Sequence, residues 1–212
     1  MLYSELQCSD AIHKAVERMG FAEMTEIQEK TIPVMMAGYD VIAKAPTGTG
    51  KTCAFGIPVA EHILPENKYP QAVIMAPTRE LAQQIAQELE ELTYFMPEVQ
   101  VACVYGGANM EKQAKRLAEG CQIVVATPGR LMDHYKHHTI DISHVTQIVL
   151  DEADEMLNMG FYKDVRHIIE MIKARKSLSM FSATISREVM DIGWLYQHNA
   201  EEITVQPREE SQ

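Results

Sequence analysis

The feature that most constrains the fold of this chain is a series of short apolar runs, each too short to be a helix. None of them alternates apolar with polar residues, and such continuous runs are typical of strands that are covered on both faces. Stretches with helical periodicity separate the runs, and this alternation indicates βαβ units and a parallel sheet. The predicted strands are 41–43, 72–76, 101–104, 123–126, 147–150, 178–181 and 203–205.

Local signals mark several of the intervening helices. Ser9 is a suitable N-cap for the first of them, and a second helix follows Thr78. A third covers 161–172 and is followed by basic residues, which favour helix C-termini. No internal repeat or linker divides the chain, so we expect one α/β domain with helices on both faces of the sheet. In such a fold the functional groups lie where the carboxyl ends of strands meet helix N-termini.

The composition argues against several classes of protein. The 212 residues include 30 acidic and 19 basic side chains, a formal net charge of −11, which disfavours nucleic-acid binding through a bulk basic surface. The four cysteines are far apart and form no C-x-x-C pair, which favours small buried side chains in a reducing compartment. The sequence shows no signal-peptide pattern and no apolar run of the ~18 residues that a membrane helix needs. We therefore expect a cytoplasmic protein without membrane contact.

A glycine-rich turn at 45–52 follows the first predicted strand and opens a helix. Strand, glycine-rich turn, Lys-Thr and helix in this order are typical of a phosphate-binding loop, although Ala45 stands where its first glycine usually is. Lys51 can reach the β- and γ-phosphates, and the Thr52 hydroxyl can ligate Mg²⁺. The alternative is a plain strand-to-helix turn with a surface lysine. The predicted nucleotide contacts of this loop are Thr47, Gly48, Thr49, Gly50, Lys51 and Thr52.

Three carboxylates follow the fifth predicted strand, in the run Asp151-Glu152-Ala153-Asp154. A phosphate-loop site needs a carboxylate at the end of a neighbouring strand to hold Mg²⁺, usually through water, and Asp151 stands there. Glu152 is the natural general base for the attacking water. An acidic first helical turn is the alternative, but it leaves charges next to a buried strand unexplained. We therefore expect catalytic roles for Lys51, Asp151 and Glu152.

Together these patches give the sequence a close resemblance to the DEAD-box ATP-dependent RNA helicases, and the resemblance covers nearly the whole chain. It implies a RecA-like domain with a mostly parallel central sheet, which uses ATP or ADP together with Mg²⁺. The patches occur in the order of the family's motifs, at 20–28 (Q motif), 45–52 (I), 77–83 (Ia), 106–107 (glycine doublet), 127–130 (Ib), 151–154 (II) and 182–184 (III).

The resemblance implies that the segment around Gln28 recognises adenine. In this interpretation Gln28 reads the edge of the base, Phe21 stacks on it, and Thr25 belongs to the same site. Taken alone, the T-x-x-Q pattern of Thr25 and Gln28 favours a capping box at a helix start, and the two roles are compatible. Met24 stands where the family usually has proline.

The resemblance also implies an RNA site that holds the RNA backbone and therefore has no sequence preference. Thr78 and Thr127 each precede a predicted helix, whose first N–H groups can face a phosphate. The alternative is ordinary helix capping, with Arg79 and Arg130 in surface ion pairs. The implied RNA contacts are Pro77, Thr78, Arg79, Gly106, Gly107, Thr127, Pro128, Gly129 and Arg130. The residues implied to couple the RNA and ATP sites through hydrogen bonds are Asp154, Ser182 and Thr184.

Members of this family need two RecA-like lobes, and no arginine-rich motif of the second lobe follows Thr184. We therefore expect 1–206 to form the N-terminal lobe and 207–212 to begin an interlobe linker, with RNA and a C-terminal RecA-like lobe as partners. This lobe alone should bind adenine nucleotide weakly and hydrolyse ATP hardly at all. A nucleotide-gated RNA adaptor without hydrolysis, or an unrelated phosphate-loop motor that acts on DNA, are the alternatives.

Overall fold

One parallel sheet forms the centre of the computed structural model, which describes residues 1–206. Its strands are β1 (Val41–Lys44), β2 (Ala72–Met75), β3 (Val101–Val104), β4 (Ile123–Ala126), β5 (Gln147–Leu150), β6 (Ser177–Ser182) and β7 (Glu201–Thr204). Their spatial order is β3-β4-β2-β5-β6-β1-β7, and all neighbours run parallel. The predicted strands are all confirmed, with small shifts at their ends. The predicted linker at 207–212 lies outside the described residues.

Helices connect the strands and cover both faces of the sheet. They are α1 (Asp10–Arg18), α2 (Glu26–Met36), α3 (Lys51–Glu61), α4 (Arg79–Leu92), α5 (Met110–Ala118), α6 (Pro128–Lys136), α7 (Ala153–Met156), α8 (Tyr162–Met171) and α9 (Arg187–Tyr196). The predicted caps of α1 and α4 are confirmed, since Ser9 Oγ accepts from Ile12 N at 3.3 Å and Thr78 Oγ1 accepts from Leu81 N at 3.2 Å. Within residues 1–206 no helix is long and apolar enough to cross a membrane.

The helix predicted for 161–172 begins differently from the prediction. A π-helical segment, Leu157–Phe161, precedes α8, and Gly160 within it has a φ of +92°. The chain therefore kinks between α7 and α8, at a residue whose backbone angle suits glycine. The apolar periodicity of 161–172 correctly located the buried face, because Val165, Ile168 and Ile169 are all buried, but it carried no signal for the kink.

Alternating strand residues fill two separate core layers, one on each face of the sheet. Val41 and Ala43 of β1 belong to the layer under α1–α4, whereas Ile42 between them packs against the layer under α5–α9. The first layer includes Phe55 and Phe181, whose ring centroids are 5.3 Å apart. Successive side chains of a strand point to opposite faces, so a sheet with both faces buried needs apolar residues at consecutive positions. This requirement explains the unbroken apolar runs of the sequence.

The connection from β1 to β2 skips two strand positions, and the strands that later fill them are followed by helices on the opposite face of the sheet, which makes this place a switch point. β1 is second from one edge, β2 lies three places away, and β5 and β6 later fill the gap between them. The loops after β5 and β6 are thereby brought next to the loop after β1. In open α/β sheets such a switch point is where ligands bind.

α3 and α4 approach each other closely at Gly56. A Cβ at this position would lie 2.8 Å from Leu92 Cδ1 and 3.2 Å from Leu89 Cδ2, and both leucines are fully buried. The buried helix pair therefore requires a residue without a side chain here.

We predict that Gly56→Ala destabilises the protein by about 1–3 kcal/mol, because the added methyl overpacks the buried contact with Leu92. Urea denaturation measures this change in the free energy of unfolding. Gly193→Ala in α9 is the matched control, since its Cβ would meet a glutamine oxygen at 3.2 Å and a methyl carbon only at 3.6 Å. If Gly56→Ala were no more destabilising than Gly193→Ala, the packing argument would be wrong.

Candidate functional site

The loops that follow the strands lie together along one edge of the sheet, because all the strands are parallel. In spatial order they are 105–109 after β3, 127 after β4, 76–78 after β2, 151–152 after β5, 183–186 after β6, 45–50 after β1 and 205–206 after β7. Most of the predicted site residues are on these loops or in the first turns of the helices that follow. Segment 182–184 lies between 151–154 and 45–52, although it is last of the three in sequence.

The phosphate-loop prediction is matched by the backbone of the turn between β1 and α3. Gly48 and Gly50 have φ values of +82° and +86°, which cost a residue with a side chain about 1–2 kcal/mol. Thr49 Oγ1 donates to Pro46 O at 2.8 Å and braces the turn. α3 begins directly after Gly50, so its free N–H groups and positive dipole end face the turn. Thr47, Gly48 and Thr49 also line a cavity of about 340 Å³ that reaches the start of α2.

Lys51 is buried and joins the phosphate loop to the acidic run after β5. Its Nζ lies 3.3 Å from Asp151 Oδ1 and 4.0 Å from Glu152 Oε1. Burial raises the pKa of Asp151, and the charge of Lys51 opposes that shift. Burial and a hydrogen bond to Glu155 raise the pKa of Glu152 to about 7, again against Lys51. One cation therefore faces two carboxylates in a partly desolvated site.

The backbone at Glu152 is strained. Glu152 has φ +48° and ψ +51°, the left-handed region that is unusual for a residue with a side chain. Its N–H donates to Asp151 Oδ1 at 2.9 Å, and α7 begins at the next residue. Such a conformation costs on the order of 1–3 kcal/mol and persists where the surrounding structure enforces it. Here it turns the Glu152 side chain to the same side as Lys51.

Hydrogen bonds connect Asp154 to the loop after β6, as predicted for Asp154, Ser182 and Thr184. Asp154 N–H donates to Ser182 Oγ at 3.0 Å, and Asp154 Oδ2 accepts from Thr184 N and Oγ1 at 3.1 and 2.8 Å. Burial opposes ionisation of Asp154, but the hydrogen bonds from Thr184 and Ser182 outweigh it and lower its pKa. Asp154 thus connects two adjacent strand ends through hydrogen bonds, and it also lies in the first turn of α7, as the alternative of an acidic helical turn expects.

Gln28 contacts the phosphate loop directly and also takes part in the predicted cap. Its Oε1 accepts from Thr25 N at 3.0 Å and from the Tyr3 hydroxyl, and its Nε2 donates to Gly50 O at 3.1 Å. A Cβ on Gly50 would lie 2.6 Å from Gln28 Nε2, so this contact also requires glycine at position 50. Thr25 Oγ1 is buried and has no hydrogen-bond partner among the described residues. Phe21 is 39% exposed and its ring stacks on that of Tyr3, with centroids 6.3 Å apart.

The other half of the edge carries the residues that were implied to contact RNA. Thr78 caps α4, but Thr127 makes no capping hydrogen bond to α6, and its Oγ1 instead accepts from Gly106 N at 3.3 Å. Ordinary helix capping therefore holds for Thr78 and is wrong for Thr127. Gly106 and Gly107 are exposed, whereas Pro77 and Pro128 are buried and Gly129 is half-buried.

The two arginines of this half differ in their surroundings. Arg79 makes no ion pair within residues 1–206; its guanidinium lies 4.7 Å from the centre of the Tyr105 ring. The Arg130 side chain is only 13% exposed, and its Nε lies 3.7 Å from Asp133 Oδ2. Its Nη1 donates to Ala108 O at 2.9 Å and to Gln113 Oε1 at 3.1 Å. The alternative of surface ion pairs thus does not describe Arg79 and accounts for only a small part of the contacts of Arg130.

Sequence reasoning missed Tyr105, Gln113 and Glu155, which all contact predicted site residues. Gln113 lies on the buried side of α5, where the helical pattern alone predicts an apolar side chain. A polar residue on the buried side of a helix was the one signal in the sequence that Gln113 has a special role, and this signal did not show which residues Gln113 contacts.

Taken together, the fold and the edge define a RecA-like α/β domain of the phosphate-loop class. A family model described as DEAD/DEAH box helicase matches residues 25–192. The ATP-dependent RNA helicase CshA of Limosilactobacillus reuteri is 46% identical over 209 residues, which are 99% of this chain and 42% of that protein. The CshA protein of Listeria monocytogenes is 46% identical over 207 residues, which are 98% and 40%. The crystal structure of a DEAD box protein from Methanococcus jannaschii matches with a TM-score of 0.90 and 40% identity, over 97% of this chain and 56% of that one.

The chain therefore belongs to the DEAD/DEAH box helicase family, and the resemblance seen in the sequence and the predicted fold class are confirmed. The chain spans about two fifths of the length of the two CshA proteins.

The oxygen donors at the switch point fit Mg²⁺ held mainly by phosphate oxygens and water. Asp151 and the Thr52 hydroxyl, in the first turn of α3, are hard oxygen ligands of the kind that this ion takes in small number. Within the described part of the chain, no group of three or more His, Cys, Asp and Glu side chains has the arrangement of a complete metal site.

We predict that Glu152→Gln makes the protein more stable than wild type at pH 8 but not at pH 5. The folded state holds the proton of Glu152 up to about pH 7, whereas the ordinary value is 4.5, so wild-type stability falls as the pH rises through that window. The expected gain is about 1 kcal/mol. Without screening, the rise of the pKa from 4.5 to about 7 would give about 3 kcal/mol, but water screens this side chain. Urea denaturation at both pH values measures it.

Glu188→Gln, at an exposed position in the first turn of α9, is the control and should not gain stability at pH 8, because an ionised carboxylate is favourable near a helix N-terminus. An equal gain at pH 5 and pH 8 for Glu152→Gln would rule out the titration of Glu152 as its cause.

Proposed function

We propose that this chain is the ATP-binding lobe of an RNA-dependent ATPase that couples ATP binding and hydrolysis to local RNA unwinding or remodelling. The observation that carries the proposal is the order of groups along the sheet edge. Lys51 joins the phosphate loop to Asp151 and Glu152, and the loop after β6 lies between them and bonds Asp154. The names of the relatives support the same activity.

In this proposal Thr47, Gly48, Thr49 and Gly50 hold the nucleotide phosphates through backbone N–H groups, and Lys51 neutralises their charge. Thr52 and Asp151 hold Mg²⁺, partly through water. Mg²⁺ supplies positive charge that stabilises the developing negative charge on the transferred phosphoryl group. The ion pair of Lys51 with Asp151 supports this, because it keeps both side chains aimed at the mouth of the phosphate loop.

Glu152 serves as the general base that removes the proton from the attacking water. A base is most effective when its pKa lies near the working pH, and burial has raised the pKa of Glu152 to about 7. The left-handed backbone at Glu152 aims the carboxylate into the site. This strain supports the assignment, since unfavourable backbone conformations cluster at functional sites.

Phe21, Thr25 and Gln28 select adenine. The Gln28 amide can pair with the edge of adenine through the remaining N–H of Nε2 and through Oε1, where the base would replace the Tyr3 hydroxyl. The contact of Nε2 with Gly50 O holds the amide beside the phosphate loop. The exposed ring of Phe21 is available for stacking on a base. The same amide supports the start of α2, so cap and adenine contact use one side chain.

RNA lies along the half of the edge formed by the loops after β2, β3 and β4. The N–H of the exposed Gly107, the start of α4 at Thr78, and the guanidinium of Arg79 offer donors to phosphates. Gly106 belongs to the same proposed site, with its own N–H donated to Thr127 Oγ1. The remaining members of the proposed site are Pro77, Thr127, Pro128, Gly129 and Arg130. A net charge of −11 limits binding to these local donors. Such contacts carry no sequence preference.

Asp154, Ser182 and Thr184 couple the two halves of the edge. They form a hydrogen-bonded bridge between the ends of β5 and β6, and β5 in turn neighbours β2, whose loop belongs to the RNA half. We further propose that residues 1–206 act with a second RecA-like lobe that completes the ATP site, and that the protein is cytoplasmic.

We predict that the wild-type chain binds ADP more tightly than GDP and that Gln28→Ala removes this preference. The loss of the amide should weaken ADP binding about tenfold or more, in line with one or two lost hydrogen bonds, and leave GDP binding nearly unchanged. Calorimetric titration of both nucleotides with both proteins measures this. Equal affinity of the wild type for ADP and GDP would leave Gln28 with its capping role alone.

In a two-lobed version of the protein, Glu152→Gln should retain ATP binding and lose about 10²–10⁴-fold in turnover, the usual contribution of a general base. Glu188→Gln should behave as wild type. ATP turnover by the 212-residue chain alone should be about 10³–10⁵-fold lower than by the two-lobed protein. We expect the second lobe to supply an arginine finger, an arginine that stabilises the charge of the transition state. RNA-stimulated ATP turnover is measured for both variants, for the wild type and for the 212-residue chain. If Glu152→Gln kept full turnover, another group would have to be the general base.

A further inference from the structure

The loop that carries Gly106 and Gly107 is held in shape by three side chains from outside it. Thr127 Oγ1 accepts from Gly106 N at 3.3 Å, Gln113 Nε2 donates to Tyr105 O at 3.0 Å, and Arg130 Nη1 donates to Ala108 O at 2.9 Å. Its backbone is therefore anchored before, within and after the two glycines. A loop with two adjacent glycines is otherwise the most freely moving kind of backbone.

Gln113 is the centre of this arrangement. Besides its bond to Tyr105 O, its Oε1 accepts from Arg130 Nη1 at 3.1 Å and contacts His134 Nε2 at 3.0 Å. The orientation of the amide is determined by its partners, because a backbone carbonyl can only accept and a guanidinium can only donate. Gln113 is buried, so no other polar group can easily replace these contacts.

His134 belongs to the same hydrogen-bond network, through its contact with Gln113. It is fully buried, and its Nδ1 lies 2.7 Å from Thr139 Oγ1. Burial and the neighbouring charge of Arg130 lower the pKa of His134, which favours the neutral ring. Since Gln113 presents its oxygen, His134 carries a hydrogen on Nε2. The Thr139 hydroxyl contacts both His134 Nδ1, at 2.7 Å, and His134 O, at 3.1 Å.

We propose that Gln113, supported by His134, is a positioning residue for RNA binding. It sets the shape of the Gly106–Gly107 loop and the direction of Arg130 without touching RNA itself. This inference rests on the proposed RNA function of the two glycines and Arg130.

The physical reason is preorganisation. Phosphate binding by backbone N–H groups requires them to point at one place, and a loop ordered beforehand avoids the entropic cost of ordering it on binding. Arg130 has most of its side chain covered and uses Nη1 for the loop and for Gln113. Its Nε faces Asp133, so the Nη2 N–H groups are the ones left for a phosphate, and Gln113 together with Ala108 O sets the orientation of the guanidinium that carries them.

The test compares Gln113→Met with Gln122→Met in the 212-residue chain. Gln122 is the matched control, because it is also a buried glutamine whose amide bonds backbone groups of neighbouring loops. It lies directly before β4, at the edge of the sheet opposite the proposed RNA site. Its Nε2 donates to Pro65 O and Glu98 O, and its Oε1 accepts from Gln100 N. Titration of the ¹⁵N-labelled proteins with single-stranded oligouridylate at low salt, where phosphate contacts are strongest, gives the RNA affinity and the shifts of individual amides.

We expect Gln113→Met to weaken RNA binding about tenfold or more and to shift the amide resonances of Gly106 and Gly107. The amides of Gly48 and Gly50 and the affinity for ADP should stay as in the wild type. Gln122→Met should lose a similar amount of thermal stability but keep RNA binding within about twofold. A general loss of stability would lower the RNA affinity of both variants alike. A lower RNA affinity of Gln113→Met alone therefore shows that Gln113 positions the RNA-binding loop.

Two outcomes would overturn the inference in distinguishable ways. If wild type binds oligouridylate and Gln113→Met binds it as tightly as Gln122→Met does, Gln113 has no positioning role and the proposed RNA function stands. If oligouridylate does not perturb Gly106 and Gly107 in the wild type, the proposed RNA site is itself wrong and the inference fails with it.

Discussion

The parallel alignment of all seven strands is the constraint on which the rest of the structure depends. Parallel pairing requires a crossover between successive strands, so each strand ends in a loop on the same edge, and each of β1 to β6 is followed by a helix that begins there. Every one of these loops thereby has access to helix N-termini, free N–H groups and its neighbours' side chains. The proposed nucleotide half and the proposed RNA half of the edge both follow from this parallel arrangement.

Within that edge, the buried contact of Lys51 with Asp151 ties the two sides of the switch point together. Burying two charges is costly unless they are paired and hydrogen-bonded, and here Glu152 adds a second carboxylate and a strained backbone. The two carboxylates outnumber the one lysine, so the site has an excess negative charge that a divalent cation, bound together with phosphate, would neutralise. The strained backbone and the buried charges lower the stability of the fold here, and the apolar packing of the two core layers compensates for this loss.

Much of the site could be predicted from the sequence because its motifs are local. The glycines at 48 and 50, the carboxylates at 151 and 152, and the cap at Thr78 all act within a few residues of their own position. Thr127 was not predicted correctly because its partner is not local: it bonds Gly106, 21 residues away. The π-helical kink at Gly160 was missed because apolar periodicity carries no signal for it. Gln113 was missed for the same reason as the contact of Thr127, because its three partners come from the loop after β3 and from α6.

The sequence by itself determined the strands, the phosphate loop and the chemistry available at each strand end, because side-chain periodicity and glycine backbone preferences are properties of short segments. Only the tertiary structure decided which strand ends are neighbours. It placed Ser182 and Thr184 against Asp154, Gln28 against Gly50, and Gln113 among Tyr105, Arg130 and His134. These contacts join residues far apart in the chain, and their distances are set by strand order and helix packing, which no local pattern encodes.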